Sequence, residues 1–377
     1  MPGSRDLTIE LFPRESFART HEVLVTGLAE GAAPGFVLGL WEASAPERIR
    51  AMALGERRRL PSSQPMGLET IFDLASITKV MGTATLAALL VERGSIGWNT
   101  PVKSILPEAW EGVELRHLLA HTAGLVWWMP VYEKLRQKFL PLGLDHVPIA
   151  DRQKAARALI LGSKPERPPG EKAVYSDLTF MTLGFALEEV TKMPLDRAVT
   201  ELVWRPMGIE DAHYRRIPGA APFDVETAAA TEDCPWRKKV LQGEVHDDNC
   251  WAMGGYAGHA GAFGTVRDVM QFAKAMFEGF LSPAVLDAAW ARVSEPEGCE
   301  RTLGWDTPSG PEPSMSSLFS RRTVGHLGFS GTSLWIDPEA RLAVTLLSNR
   351  VHPSRENIKI RALRPALHRA LRLDLGR

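Results

Sequence analysis

A serine is followed three residues later by a lysine in FDLASITKVMG, residues 72–82, and no other serine of the chain has a lysine at this spacing. On a helix, residues three apart lie one turn apart on the same face, so the Lys79 ammonium nitrogen can reach the Ser76 hydroxyl. A hydroxyl is a weak nucleophile unless a base lies nearby, and a lysine becomes such a base when a cleft removes it from water. The pair predicts a nucleophilic Ser76 with Lys79 as its proton acceptor, although a helix cap followed by a solvated charge would give the same pattern.

Two further motifs carry residue types suited to proton transfer and substrate binding. Tyr175 lies where a proline-rich loop ends and a helix begins, in PPGEKAVYSDLTF, and its phenol could shuttle protons. His326 and Gly328 form an H-x-G on a predicted strand, where glycine would let a substrate backbone approach a sheet edge. Taken singly, Tyr175 could equally be a packing residue at a boundary between lobes.

Other hydrolytic and nucleotide-binding chemistries lack their motifs in this chain. His117 and His121 are four apart on a predicted helix, but Leu118 stands where an H-E-x-x-H zinc site needs its glutamate. There is no G-x-S-x-G nucleophile elbow, and the glycine-rich GGYAGHAGAFG lacks the lysine and hydroxyl residue of a phosphate-binding loop. We therefore expect neither a metal nor a cofactor.

The three motifs occur in the order S-x-x-K, Y-S-D and H-x-G, and in this order the chain resembles the family of class C β-lactamases, D-alanyl-D-alanine carboxypeptidases and related esterases. The resemblance runs from about residue 35 to the C-terminal helix, through TIFDLASITKV, RHLLAHTAGL, PPGEKAVYSD, GGYAGHAGAFGT and GHLGFSGTSLWIDP. It implies that Ser76 is acylated, that Lys79 and Tyr175 relay its proton to the leaving group, and that water attacks the acyl-enzyme. It also implies that the backbone N–H groups of Ser76 and Phe329 form an oxyanion hole.

At two positions the chain departs from the β-lactamase pattern, which has asparagine where Asp177 stands and lysine where His326 stands. In the family, the asparagine holds an amide of the substrate and the lysine attracts its carboxylate. An acid and a near-neutral imidazole should therefore suit β-lactams and anionic peptides less well, while histidine here is familiar among the family's esterases. Alternatively, Asp177 points away from the substrate and caps the helix that begins after Ser176.

The resemblance and these departures together favour a serine hydrolase that acts through a Ser76 acyl-enzyme. We expect a carboxylesterase or small amidase, whose acyl group could rest on Trp127 and Trp128, although paired tryptophans are at least as often part of a core. A D-Ala-D-Ala carboxypeptidase or a β-lactamase is the alternative of the same fold, and an acyltransferase would look the same until offered an acceptor. A non-catalytic ligand-binding or sensor protein, which keeps the fold without turnover, is the alternative of another class.

Secondary-structure patterns indicate which elements must position these motifs. Residues 35–43 and 51–56 are predicted to be strands, and residues 322–337 and 341–349 an antiparallel hairpin. Residues 76–93 carry apolar side chains at helical spacing and are followed by a glycine, the usual residue at a helix end. Further helical patterns fill most of the chain between the two sets of strands.

Strands at both ends with helices between them predict one β-lactamase/DD-peptidase-like α/β domain over residues 1–377. An antiparallel sheet flanked by helices would form an α/β lobe from about 1–75 and 260–377, and an inserted helical lobe would span about 76–259. The active site is expected in the cleft between the lobes. A last helix, capped by Ser354, should pack an apolar stripe on the sheet: Ile360, Leu363, Leu367 and Leu371.

Composition restricts the partners. Lys and Arg number 44 against 45 Asp and Glu, so the net charge of −1 leaves no basic footprint for nucleic acid. No segment approaches the ~18 uninterrupted apolar residues that a membrane helix needs. The N-terminal segment lacks the apolar core of a secretory signal, so we expect a cytoplasmic protein. The expected partner is a small-molecule ester or amide, and the oligomeric state is left open.

Overall fold

Strands from both ends of the chain meet in one sheet, and helices fill much of the chain between them. The computed structural model describes residues 7–376. Its strands are β1 (Thr8–Leu11), β2 (Gly35–Glu42), β3 (Arg48–Arg58), β4 (Gln64–Pro65), β5 (Phe72–Asp73), β6 (His213–Tyr214), β7 (Ala230–Cys234), β8 (Lys239–Gln242), β9 (Ala262–Gly264), β10 (Val324–Leu327), β11 (Ser333–Asp337) and β12 (Leu342–Ser348).

The α-helices are α1 (Ala18–Ala29), α2 (Thr85–Glu92), α3 (Val102–Ile105), α4 (Leu115–Leu119), α5 (Val131–Lys138), α6 (Ile149–Leu161), α7 (Asp177–Thr191), α8 (Leu195–Val199), α9 (Asp248–Ala252), α10 (Val266–Phe277), α11 (Pro283–Trp290) and α12 (Ile360–Asp374). Wider π-helical turns span Lys79–Ala84 and Thr200–Trp204, and tighter 3₁₀ turns span Leu144–His146, Arg205–Met207 and Val225–Thr227. No helix within residues 7–376 combines the length and the apolar character needed to cross a bilayer.

The main sheet has the strand order β1–β3–β2–β12–β11–β10, and β4 pairs with the end of β3. β1 runs parallel to β3, whereas the other neighbours are antiparallel. The predicted strands at 35–43 and 51–56 are confirmed as β2 and β3. The predicted single strand at 322–337 is wrong, because a turn at Gly328 divides it into β10 and β11, and the hairpin joins β11 to β12.

Side chains along β2 alternate between two cores. Phe36, Leu38 and Leu40 lie in a core shared with α1 and α12, and Val37 and Trp41 lie in the larger core that also contains α10. Every residue of β2 is buried because helices cover both faces of the sheet. This explains why β2 is a continuous apolar run in the sequence and does not alternate with polar residues.

The last helix, α12, buries the stripe predicted for it, with Ile360, Leu363, Leu367 and Leu371 in the core on the α1 side of the sheet. The predicted cap at Ser354 is wrong. α12 begins at Ile360, and the Ser354 hydroxyl accepts the N–H of Glu356 in a separate turn. Residues 353–359 therefore form an irregular segment that leads into the helix.

The helix predicted over residues 76–93 begins as a π-helical turn at Lys79 and continues as α2 to Glu92, with Gly94 at φ 68° ending it. Short strands that the sequence did not indicate flank this region. β5 pairs with β9, and β9 with β6, so the turn before Lys79 lies against the chain just before residue 262. The mixed α/β fold is as predicted, while the division into lobes near residues 76 and 259 stays a prediction.

Candidate active site

Ser76 lies in a tight turn between β5 and the π-helical turn. Ala75, the residue before it, has φ 48°, in the left-handed region that costs a non-glycine residue about 1–2 kcal/mol. Asp73 holds the turn, because its Oδ1 accepts the N–H of Ala75 at 2.8 Å and its Oδ2 accepts the N–H of His246 at 2.7 Å. The strained turn is thus supported from two sides and fixes the position of Ser76.

The Ser76 hydroxyl contacts both predicted proton-transfer groups. Lys79 Nζ donates to Ser76 Oγ at 2.9 Å, and Tyr175 OH lies 3.0 Å from the same oxygen. Tyr175 is 99 residues away in sequence, so the fold, and not local spacing, brings it to the serine. The three residues that the S-x-x-K and Y-S-D motifs singled out lie together.

The Lys79 ammonium is fully buried and uses three donors. Besides Ser76 Oγ, it donates to Asp177 Oδ1 at 2.8 Å and to the His259 carbonyl at 3.1 Å. Burial alone would lower the pKa of Lys79, but the Asp177 carboxylate and the Tyr175 oxygen raise it above its ordinary value. An ammonium has three donors and no acceptor, so this is the arrangement of a charged lysine. Desolvation therefore does not make Lys79 neutral here, and the lysine must lose a proton before it can act as a base.

Asp177 is the counter-ion of Lys79, a role that the sequence did not indicate. It is the first residue of α7, with Ser176 as the N-cap residue, so the alternative that Asp177 caps this helix is wrong. Its side chain is 20% exposed and lines the cleft, whereas the Lys79 side chain is completely buried. The carboxylate thus lies between the buried charge and the space that a substrate would occupy.

His121 organises the Y-S-D segment, although the sequence suggested only a zinc role and rejected it. Its ring packs against Tyr175 with centroids 4.7 Å apart and the ring planes tilted by 39°, and its Nδ1 lies 3.2 Å from the backbone nitrogen and 3.1 Å from the carbonyl oxygen of Ser176. The His121 carbonyl accepts the N–H of Val174 at 2.9 Å. Burial holds the pKa of His121 well below its ordinary value, so the ring is neutral. His121 therefore contacts Val174 and Ser176, the residues on either side of Tyr175, and so fixes the position of Tyr175.

His326 is buried on β10, and burial lowers its pKa to about 4. Its Nδ1 lies 2.9 Å from the Leu327 carbonyl, which can only accept, so Nδ1 carries the proton. The other ring nitrogen, Nε2, is buried and has no hydrogen-bond partner among residues 7–376. His326 thus agrees with the expected near-neutral imidazole and offers no positive charge to a substrate carboxylate.

Gly328 is required by the protein's own packing. A Cβ atom at this position would collide with the Thr332 hydroxyl and lie 2.8 Å from the Leu74 carbonyl. The Thr332 hydroxyl also donates to that carbonyl at 3.0 Å. Glycine therefore lets the H-x-G turn approach the turn that carries Ser76, which is a different reason from the substrate approach expected from the sequence.

The backbone N–H groups of Ser76 and Phe329 have no acceptor within the described part of the chain. The Phe329 ring is 52% exposed, stacks on His246 and lies under the Arg350 guanidinium, 4.3 Å from it. These two N–H groups are the pair expected to form an oxyanion hole, and both are free to donate.

The site opens into a cleft of about 780 Å³. Lys79 lies behind Ser76 and does not line the cleft. The predicted residues that do line it are Ser76, Trp127, Trp128, Tyr175, Asp177, His326, Gly328 and Phe329. Trp127 is 67% exposed and its ring lies 5.9 Å from that of Trp128, so the two indoles form an apolar patch at the cleft.

Comparisons with known proteins identify the family of this chain. A family model described as Beta-lactamase matches residues 22–368. A protein of Salmonella agona (strain SL483), named "Putative D-alanyl-D-alanine carboxypeptidase", is 30% identical over 321 residues, covering 77% of this chain and 72% of the relative.

Two solved structures share the fold. One, "EstCE1, a hydrolase with promiscuous acyltransferase activity", has a TM-score of 0.68 at 23% identity and covers 94% of this chain and 99% of its own. Unliganded simvastatin synthase (LovD) from Aspergillus terreus has a TM-score of 0.70 at 18% identity and covers 95% of this chain and 98% of its own. Because the family model spans most of the sequence, the chain belongs to the β-lactamase family and is a serine hydrolase of that family.

Proposed function

We propose that this serine hydrolase cleaves carboxylic esters and small amides through an acyl-enzyme formed on Ser76. The observation that carries the proposal is that Ser76 Oγ lies within hydrogen-bond distance of both Lys79 Nζ, at 2.9 Å, and Tyr175 OH, at 3.0 Å. A nucleophile in contact with a base and with a second proton donor is the arrangement that acyl transfer requires.

Acylation begins with a proton shift inside the Lys79–Asp177 pair. Charged Lys79 cannot accept the Ser76 proton, so it first passes a proton to Asp177 Oδ1, 2.8 Å away. Desolvation disfavours both charges of the pair, and a substrate that covers the partly exposed Asp177 therefore favours this shift. The Lys79 amine then takes the proton of Ser76 as Oγ attacks the carbonyl carbon.

The tetrahedral intermediate collapses when Tyr175 gives its proton to the leaving group and regains one from Lys79. During the attack, negative charge develops on the carbonyl oxygen, where the N–H groups of Ser76 and Phe329 would stabilise it. One such donor typically contributes about 10²- to 10³-fold to kcat. Water then attacks the acyl-enzyme with the same groups acting in reverse.

The preference for esters rests on the cleft residues. The Asp177 carboxylate accepts hydrogen bonds and donates none to the amide carbonyl of an acylamino substrate, and neutral His326 brings no positive charge. The exposed Trp127 and its neighbour Trp128 supply a surface for an apolar acyl group.

The test is covalent labelling combined with turnover. A fluorophosphonate probe should label Ser76, and Ser76→Ala should lose both the label and the hydrolysis of p-nitrophenyl butyrate. Ser95→Ala, at an exposed serine outside the cleft, is the matched control and should keep both. Labelling at another residue, or steady turnover by Ser76→Ala, would overturn the proposal. Stoichiometric binding without turnover would instead favour the sensor alternative.

D-Ala-D-Ala carboxypeptidase activity is the second candidate, because the 30% identical Salmonella relative carries that name. An acyl-D-Ala-D-Ala peptide, nitrocefin and p-nitrophenyl butyrate offered to the same preparation distinguish the candidates by their kcat/KM. A peptide kcat/KM above that of the ester would replace the esterase proposal. Added alcohol or amine acceptors test for acyl transfer, an activity ascribed to EstCE1.

A further inference from the structure

The turn between β10 and β11 carries the Phe329 N–H, and its own hydrogen bonds hold it in place. The N–H of Gly328 donates to the Thr332 carbonyl at 2.7 Å, and the N–H of Gly331 donates to the Gly328 carbonyl at 3.1 Å. The Thr332 hydroxyl donates to the Leu74 carbonyl at 3.0 Å, in the segment that leads to the nucleophile. The Gly328 and Thr332 carbonyls therefore each have a backbone donor within the turn itself.

A buried guanidinium nevertheless contacts both of these carbonyl groups. One terminal nitrogen of Arg364, on α12, donates to the Gly328 carbonyl at 3.3 Å and to the Thr332 carbonyl at 2.8 Å. Arg364 is 5% exposed, and its Nε has no hydrogen-bond partner among residues 7–376. Because each carbonyl already accepts a backbone N–H, satisfying the turn does not explain why a charged side chain is buried here.

The charge of Arg364 has no acidic partner in the described part of the chain. Burial first, and then the positive charges of Arg350 and Arg361, lower the pKa of Arg364 to about 10, so the guanidinium is still charged at neutral pH. The carboxylate of Glu356 acts on Arg350 and is not among the groups that act on Arg364. A buried cation without a counter-ion lowers the stability of a fold, which makes a purely structural role a poor explanation for Arg364.

The guanidinium lies at one end of the peptide group that supplies the expected oxyanion donor. The Gly328 carbonyl and the Phe329 N–H belong to the same peptide group and point in opposite directions, and the N–H has no acceptor among residues 7–376. A positive charge at the carbonyl end polarises the peptide group and strengthens its N–H as a donor. The same charge stabilises negative charge that develops at the N–H end, because a water-excluded site screens it weakly.

We propose that Arg364 is a positioning residue for the oxyanion hole, which orients and polarises the Phe329 N–H through the Gly328–Phe329 peptide group. The inference rests on the proposed hydrolysis. As Ser76 Oγ bonds to the carbonyl carbon, its proton passes to Lys79 and the electron pair of the C=O π bond moves onto the carbonyl oxygen. Arg364 exchanges no proton in this step. Because the negative charge on oxygen is absent from the bound substrate, Arg364 should raise kcat and leave KM nearly unchanged.

The test separates the charge of Arg364 from its packing. Arg364→Met removes the charge and keeps a long side chain, Arg364→Lys keeps the charge, and Arg364→Gln keeps hydrogen-bond donors without the charge. Arg369→Met, at an exposed position of α12 outside the cleft, is the control for loss of one positive charge from this helix. The measurements are kcat and KM for p-nitrophenyl butyrate, inhibition by a trifluoromethyl ketone, whose adduct with a serine carries an oxyanion, and Tm.

Arg364→Met should lower kcat by about tenfold, less than the loss of a whole oxyanion donor, because the N–H is weakened and not removed. KM should change little, and inhibition by the ketone should weaken by a similar factor. The Tm of Arg364→Met should equal or exceed that of the native protein, because an unpaired buried charge is removed. Arg364→Lys should keep a higher kcat than Arg364→Gln, and Arg369→Met should match the native protein in every measurement.

A native kcat in Arg364→Met overturns the inference. Equal losses of kcat in Arg364→Lys and Arg364→Gln overturn it as well, since they would show that the shape of the side chain matters and its charge does not. If Arg364→Met fails to fold, the comparison of Arg364→Lys with Arg364→Gln still decides the matter. Labelling of native Ser76 by the fluorophosphonate leaves the proposed hydrolysis standing whatever the variants show, and without that label the proposed hydrolysis fails first.

Discussion

Replacing Asp177 with asparagine should change how activity depends on pH. In the native protein the proton that Lys79 must lose moves to Asp177, within the pair. No proton is exchanged with solvent, so kcat/KM should be nearly flat across neutral pH. Asparagine has the same size but cannot hold that proton. In Asp177→Asn the proton of Lys79 must go to solvent, so kcat/KM should fall about tenfold per pH unit below the pKa of Lys79.

The size of the change follows from the contact. Two unit charges about 4 Å apart interact by about 4 kcal/mol at an effective dielectric constant of about 20, or roughly three pKa units. Because the Asp177 side chain is 20% exposed, water weakens the Lys79–Asp177 interaction. Loss of this ion pair should lower the pKa of Lys79 by about 1–3 units. Burial then acts against the charge of Lys79, and only the contact with Tyr175 still opposes it. At pH 7, Asp177→Asn should therefore retain on the order of 1% or less of its own plateau activity.

The assay is steady-state hydrolysis of p-nitrophenyl butyrate from pH 5 to pH 10. Asp151→Asn, at an exposed acid in the first turn of α6, is the control for loss of one negative charge. Thermal unfolding gives a second readout. In Asp177→Asn burial disfavours the charged Lys79, so we expect its folded-state pKa to fall below the unfolded value and the unfolded chain to bind more protons between the two values. The loss in Tm should therefore shrink as pH rises through this window toward about 10.

Parallel pH profiles for the native protein and Asp177→Asn would refute the proton shift, because they would show that Asp177 takes no proton from Lys79. A native kcat/KM that itself fell tenfold per unit below pH 10 would refute it too, since the proton of Lys79 would then go to solvent even with Asp177 present. A profile that changed equally in Asp151→Asn would trace the effect to overall charge.

The remaining predictions concern buried histidines. His121→Asn should keep near-native kcat, because the asparagine oxygen can accept the Ser176 N–H and asparagine tolerates the φ of 58° at this position. His121→Leu should lower kcat by about 10²-fold, with a smaller change in KM. Equal kcat values for the two variants would reduce His121 to a packing residue. Burial lowers the pKa values of His326 and His368 to about 4. Between about pH 4 and 6.5 the unfolded chain therefore binds more protons than the folded chain. The free energy of unfolding should fall as pH falls through that window, by on the order of 3 kcal/mol for each histidine. Urea unfolding of His368→Asn should show a shallower pH dependence than the native protein, and equal slopes would contradict this reasoning.

The sequence predicted the parts of the site that depend on short-range spacing or on motif order. Ser76 and Lys79 lie three residues apart, so the turn that begins the helix is enough to bring them together. The order of the motifs placed Tyr175 and His326 in the same cleft, although each lies far from Ser76 in the chain. The buried stripe of α12 was also predictable, because a long amphipathic helix keeps its period whatever it packs against.

Contacts that depend on tertiary placement could not be read from the sequence. Asp177 and Lys79 are 98 residues apart, and their ion pair depends on how α7 lies against the π-helical turn. The contact of Lys79 with the His259 carbonyl leaves no side-chain signal at all. β5 and β6 have only two residues each, too short to show an alternating pattern, and yet β5 leads into the turn that holds Ser76.

The two departures from the β-lactamase pattern lower the positive charge that the cleft offers to a substrate. Asparagine and lysine at these positions would contribute one positive charge, whereas Asp177 and neutral His326 contribute one negative charge, a difference of two units. Asp177 is paired with Lys79, so it does not repel a substrate as strongly as a free carboxylate would. A substrate without a charge near the scissile carbonyl leaves the Lys79–Asp177 pair free to shift a proton without a third charge beside it.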